Sequence, residues 1–280
     1  MNNNPIYYIF GTGPSIDDIT DEEWDFLKDK HTISMSTFPF SGKPLESYYS
    51  HERIHLDGYM LKIMRDYGYL NTCLYLSHRD SILYAKSIGF KYIFQIIKGS
   101  ALFLPSRKPW CIGESAPPHK FNVCRAHTFS SPIFRFRGQL SGVINLALIL
   151  GANEIRLIGV DLNSSRSFWE TDAGMKRWIH TPEQMKIAIE LYNEGTDYIN
   201  AKKSVSPVMK DFNEDTMHVT EIPYSDPERW GEMKFRGMSD VLEWMNNELV
   251  EEGKIGIFTT NQKSIPFVEG KLKYKSIMED

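Results

Sequence analysis

Apolar residues along this chain gather in short dense runs, and polar stretches with a helical rhythm separate them. Tyr7 to Phe10 is a bulky, β-prone run, and residues 32–36, 72–76, 91–97 and 254–259 are of the same type. Between them, residues 22–29, 58–67, 80–88 and 238–252 read as helices. The clearest pair lies at 141–161, where Val143 to Leu150 is apolar apart from Asn145 and Gly151 supplies a helix C-terminal turn. Glu154 to Val160 then forms an apolar strand that closes on Gly159 and Asp161. Hydrophobicity this continuous marks a helix and a strand buried in a parallel sheet. Strand and helix in alternation predict an α/β fold with a doubly wound parallel sheet, whose ligands bind beyond the carboxyl ends of the strands.

Two long segments interrupt the alternation. Residues 99–137 carry five prolines together with Arg107, Lys108, Lys120, Arg125, Arg135 and Arg137, against the single acid Glu114. This is either a solvated loop or a local basic patch suited to a phosphate or a sugar carboxylate. Residues 163–236 mix Phe168, Trp169, Trp178, Tyr192, Tyr224 and Trp230 with an acidic run from Asp211 to Glu232, as a mobile lid over a sugar site would. The chain is therefore read as a single domain over 1–280 with a lid and acceptor-side insertion at 163–236.

Length and charge narrow the classes. The 280 residues, 41% of them hydrophobic, can bury one large core. A formal charge of −4 argues against nonspecific binding to nucleic acid, so any basic site is local. The three cysteines form no C-x-x-C pair, which points to a reducing compartment. The N-terminus shows no signal-peptide pattern, and the most apolar run is far shorter than the ~20 residues a membrane helix needs. The expectation is a cytoplasmic protein with no transmembrane segment; peripheral membrane contact and self-association stay open.

The first apolar strand runs directly into Gly11-Thr12-Gly13-Pro14-Ser15. Glycines permit the tight turn, and Pro14 and Ser15 can open a helix whose N–H groups attract a phosphate. The same five residues equally suit a strand-to-helix turn with no ligand, because the motif has neither the third glycine of a dinucleotide site nor the lysine of a P-loop. Cys111, His119, Cys124 and His127 interleave across two prolines, a poor spacing for zinc, and no metal is expected. His218, in the polar stretch Asn213 to Thr220, can take a proton from a hydroxyl near neutral pH. His180 competes with it, although its place before Thr181 and Pro182 suits a helix start.

Taken in order, Gly11 to Ser15, Ser141-Gly142, the strand ending at Asp161, His218, and the strand at 254–264 with its Asn261-x-x-Ser264 close resemble the bacterial lipooligosaccharide sialyltransferases. The resemblance implies a Rossmann-like, GT-A-like domain with a lid, a CMP-sialic acid donor, a glycan acceptor, transfer with inversion, and neither metal nor further cofactor. It assigns donor binding to Gly11, Thr12, Gly13, Pro14, Ser15, Ser141, Gly142 and Asp161, and the catalytic base to His218. Thr12, Ser36 and Ser50 stand where or near where the family has asparagines, so these positions join the candidate donor site. Tyrosines that hold the donor phosphate in the family are replaced by Asn163 and, approximately, Phe168 or Trp169. Arg137, Arg135, Asn163 or a lid residue would then stabilise the leaving group.

The same turn and strand are also similar to hydroxymethylpterin diphosphokinase-like proteins. In that reading, ATP and magnesium are the ligands and Asp161 holds the metal with Asp17 or Asp18. A carbohydrate-binding protein on a degenerate transferase fold is the third reading.

Overall fold

The computed structural model describes residues 5–51, 54–97, 125–131, 133–134, 138–205, 209–210, 212–221 and 237–279. Its centre is one parallel sheet of eight strands: β1 (Ile6–Phe10), β2 (His31–Met35), β3 (Ser47–Ser50), β4 (Cys73–Leu76), β5 (Ile93–Gln95), β6 (Glu154–Ile158), β7 (Gly256–Thr259) and β8 (Lys273–Tyr274). The spatial order is β5-β4-β3-β2-β1-β6-β7-β8. The chain thus winds outward from β1 in one direction, returns, and winds outward from β6 in the other. The switch lies between β1 and β6, which pair from Ile6 opposite Glu154 to Phe10 opposite Ile158.

The period of two along each strand divides the core into two layers. Tyr7 and Ile9 of β1 face a cluster that holds Val143, Ile144 and Ala147 of α4 (Gln139–Ile149) and Val241, Leu242 and Met245 of α7 (Met238–Glu251). Tyr8 and Phe10 face the opposite cluster. There they meet Trp24 and Leu27 of α1 (Asp21–Leu27), Leu61 of α2 (Ile54–Asp66) and Ala85 of α3 (Arg79–Ser87). The same layer takes Trp178 of α5 (Asp172–Trp178) and Ile187 and Ala188 of α6 (Pro182–Val205). A last short helix, α8 (Ile265–Val268), follows β7.

Asn145, the one polar residue in the apolar run of α4, is fully buried and hydrogen-bonded through both its amide oxygen and its amide nitrogen. Its Oδ1 accepts from the N–H groups of Ala126 (2.9 Å) and Phe134 (2.8 Å), and its Nδ2 donates to Ala126 O (2.8 Å). It ties the returning segment at 125–134 to the helix layer, as a buried amide must be satisfied.

The predicted parallel α/β sheet is the observed one. The segment at 163–236 contributes Phe168, Trp169, Trp178, Ile187 and Ala188 to the core, so its first half is packed body rather than cover. Among the described residues no helix is long and apolar enough to cross a membrane.

Candidate functional site

A cleft of about 240 Å³ opens where β1 and β6 diverge, the place at which a doubly wound sheet binds its ligands. Gly11, Thr12 and Gly13 after β1, Met35 and Ser36 at the end of β2, and Gly159 to Leu162 after β6 form its floor. Gly138 to Leu140, Ser164 to Arg166, His218, Thr220 and Met238 form its walls. Gly138, the N-cap of α4, has no side chain to cap the helix, so the positive end of the helix dipole faces the cleft.

The turn after β1 is built by its neighbour β6. Gly11 N–H donates to Ile158 O (2.8 Å) and Gly13 N–H to Gly159 O (2.8 Å). Ser15 donates through N–H to Asp161 Oδ2 (2.8 Å) and through its hydroxyl to Oδ1 (2.5 Å). A Cβ on Gly11 would stand 2.4 Å from Gly159 O, and one on Gly13 would stand 2.5 Å from Asp161 Oδ2. These glycines are required because two loops cross at contact distance. Pro14 has no N–H, and the N–H groups of Gly11, Gly13 and Ser15 are spent on the protein, so of the N–H groups in this turn that of Thr12, on the cleft, is the one left to meet a phosphate. Thr12 is its one residue with a side chain on the cleft wall, held by Phe168 N–H donating to Thr12 O at 2.8 Å.

Asp161 is a structural latch. Besides Ser15, its carboxylate accepts from Asn261 Nδ2 (2.7 Å), and its carbonyl accepts from Ile265 N–H (2.9 Å). Asp17 accepts from Trp178 Nε1 at 2.6 Å. Of the carboxylates that a kinase-like magnesium site would use, Asp161 and Asp17 are thus engaged with the protein, and Asp18 is exposed. Among the described residues no group of three or more His, Cys, Asp or Glu side chains converges as a metal site would.

Other expected donor-binding residues separate into those at the cleft and those away from it. Ser36 lines the cleft with φ of 55°, and Leu162 lines it with φ of 59°. They are the only non-glycine residues with positive φ among the described ones. Such backbone costs about 1 kcal/mol or more per residue, and it collects at sites where a group must be aimed. Ser50 is fully buried and donates its hydroxyl to Asp57 Oδ1. Ser141 is equally buried, and a Cβ on Gly142 would lie 2.2 Å from Tyr49 OH, so this pair serves helix-to-sheet packing. Residues one turn earlier, Gly138 to Leu140, face the cleft instead. Asn163 donates to Lys263 O (3.2 Å) outside the cleft walls, and Phe168 and Trp169 are core residues. Arg137, Arg135, Cys111, His119 and Cys124 lie outside the described residues. His180 is exposed before α6, its N–H donating to Gln184 Oε1 (2.9 Å).

His218 reaches the cleft because its segment is stitched to the loop after β6. Its N–H donates to Leu162 O (2.9 Å), the carbonyl that the left-handed Leu162 turns outward. Ser165 Oγ donates to Met217 O (3.1 Å) and accepts from Val219 N–H (2.8 Å), bracketing the histidine on both sides. Arg166 anchors the approach through Glu214 (2.9 Å) and Asp215, and the Asp215 hydrogen bond first of all raises its already high pKa. Downstream, Glu221 accepts from Ser239 N–H (2.9 Å) and Oγ (2.6 Å), fixing the segment to the N-terminus of α7. Sequence reading missed Ser164, Ser165, Arg166 and Thr220. The run of small polar residues after Asp161 is a signal that could have found Ser164 and Ser165, and Thr220 stood two positions beyond His218.

Burial lowers the pKa of His218 to about 4 from an ordinary 6.5. The ring is therefore neutral at physiological pH. An unfolded chain binds the proton near pH 6.5 while the folded one waits until about pH 4, so this group's contribution to stability is complete above pH 6.5 and is lost as pH falls toward 4. Melting curves from pH 7.5 to 4.5 are expected to fall less steeply for His218→Asn than for the parent; parallel curves would refute the assignment.

No family model matches the chain, and no curated protein matches it. Among solved structures, it is similar to the sialyltransferase CstII from Campylobacter jejuni in complex with a substrate analogue, cytidine-5'-monophosphate. The identity is 13%, the match covers 99% of this chain and 87% of that one, and the TM-score is 0.46.

Proposed function

We propose that this protein is an inverting, metal-independent glycosyltransferase that moves sialic acid or a related acidic sugar from a CMP-linked donor to a hydroxyl of a glycan. The observation that carries the reading is a neutral imidazole, His218, in a cleft at the β1/β6 switch point beside the N-terminus of α4, whose N-cap is Gly138. The sequence resemblance in Gly11 to Ser15, Asp161 and His218 supplies the donor class. In this reading the donor phosphate sits at the N-terminus of α4, where the helix dipole offsets the charge released as the glycosidic bond breaks. Hydroxyls of Thr12, Ser36 and Ser164 meet the nucleoside and sugar, while Met35, Leu140 and Met238 limit water that would hydrolyse the donor. His218 takes the proton of the attacking hydroxyl at Nε2, and Arg137 is the proposed cation for the departing phosphate.

Nucleotide-dependent melting tests donor and metal together. CMP at about 100 times its dissociation constant adds about 2.7 kcal/mol, and this should appear without magnesium as a rise of about 5 °C or more. Stabilisation by ATP that requires magnesium, with none by CMP, would overturn the proposal in favour of phosphoryl transfer.

A further inference from the structure

The two nitrogens of His218 are not equivalent. Thr220 N–H points at Nδ1 from 3.2 Å, and Thr220 Oγ1 lies 2.7 Å from the same atom. A backbone N–H can only donate, so Nδ1 must be the acceptor and the ring proton belongs on Nε2. Nε2 has no hydrogen-bond partner among the described residues, and the residue that carries it lines the cleft. The ligand-free ring thus offers the cleft an N–H donor, whereas a base must offer it a lone pair.

We propose that Thr220 is the positioning residue that sets the tautomer of His218: its N–H holds the resting Nε2–H form, and its hydroxyl is the acceptor that makes the Nδ1–H form, the one able to take a proton, accessible. This rests on the transferase reading above. The ring proton leaves Nε2 and returns at Nδ1 by exchange with water, with no change in proton count, and Nδ1–H then donates to Thr220 Oγ1. In the transfer step the acceptor O–H bond breaks with its proton going to Nε2. The freed oxygen pair forms the new bond to the anomeric carbon as the old C–O bond breaks toward the phosphate. The imidazolium formed keeps Nδ1–H on Thr220 Oγ1 and releases one proton to water afterward. Burial opposes that charged ring, and an anionic donor beside it would relieve the opposition, which couples base strength to donor binding.

The geometry of Thr220 makes a clean test available. Its Cγ2 sits 3.8 Å from the point a Cβ on Gly138 would occupy, so the methyl faces the start of α4, and valine keeps that methyl while losing the hydroxyl. Valine leaves the N–H in place, so it penalises the Nδ1–H form more than the resting one. With CMP-sialic acid as probe and water as acceptor, Thr220→Val should release CMP about 10-fold more slowly, with KM and melting temperature near those of the parent, and Thr220→Ser should restore the rate. Nitrogen-15 spectra of the ligand-free parent should show a protonated Nε2 and a bare Nδ1 on His218. A parental rate in Thr220→Val, an unrescued Thr220→Ser, or an Nδ1–H resting tautomer would each overturn the proposal. If the parent releases no CMP, the transferase reading fails on its own account. The tautomer spectrum then decides the hold of Thr220 separately, Nε2–H sustaining it and Nδ1–H overturning it.

Discussion

Replacing His218 with alanine is expected to slow CMP release from CMP-sialic acid by about 100-fold or more while donor affinity stays near that of the parent. General-base transfer contributes to the transition state and little to the ground state, so the loss belongs in kcat and not in KM. Folding should tolerate the change, because the segment is held by main-chain and flanking contacts. His218 N–H to Leu162 O, Ser165 Oγ to Met217 O and Val219 N–H, and Glu221 to Ser239 all persist in the alanine variant. Single-turnover CMP release and calorimetric CMP binding, measured side by side, separate the two quantities. A rate within about threefold of the parent would remove His218 from the chemistry, and a loss confined to CMP affinity would make it a binding residue.

Arg156→Met is expected to destabilise the fold by about 3–5 kcal/mol and to lower the melting temperature by about 10 °C. Arg156 is buried in the middle of β6, on the face of the sheet that carries Tyr8. Its Nε donates to Glu154 Oε1 (2.7 Å), and its Nη1 donates to the carbonyls of Ser276 (2.9 Å) and Ile277 (3.2 Å). Lys275 holds the other oxygen of Glu154 at 2.8 Å. The guanidinium thus pins the chain after β8 across the sheet. Methionine would orphan half of a buried carboxylate and leave Ser276 O with only the Glu279 N–H (3.4 Å) and Ile277 O with only the Tyr8 hydroxyl (3.3 Å). Arg156 Nη2 is itself buried without a partner, which marks the group as costly to keep and not merely stabilising. Thermal melts and limited proteolysis should agree, the first cuts falling within 275–279. A loss below about 1 kcal/mol would reject the pinning role.

Strands and helices with dense periodic patterns were legible before any coordinates. The run at Tyr7 to Phe10 is β1, the segment at 141–161 contains α4 and β6, and residues 238–252 contain α7. β3 was not legible. Its Ser47-Tyr48-Tyr49-Ser50 is four residues long with no alternation, since Tyr48 and Tyr49 face opposite buried layers. Within 163–236, aromatic residues in a polar background looked like a lid over a sugar. Trp169 instead donates to Thr37 Oγ1 (2.9 Å) in the core, a partner 132 positions away that no local window contains.

The site divides along the same line. Sequence alone pointed to the ends of the first and sixth strands, because a turn after the first strand and an aspartate after the sixth are local signals tied to strand ends; its polar setting left His218 beside His180, and the family resemblance chose between them. Tertiary structure decided what each residue does there. Gly11 and Gly13 look like ligand glycines and prove to be clearance for Gly159 and Asp161. Asp161 looks like a ligand carboxylate and is a latch between Ser15 and Asn261. Ser50, Ser141 and Gly142 face the core. Composition and spacing constrain which elements form, since those depend on neighbours along the chain. The direction a side chain faces and the partner it meets depend on elements brought together from more than a hundred positions apart, and only the packed sheet sets those.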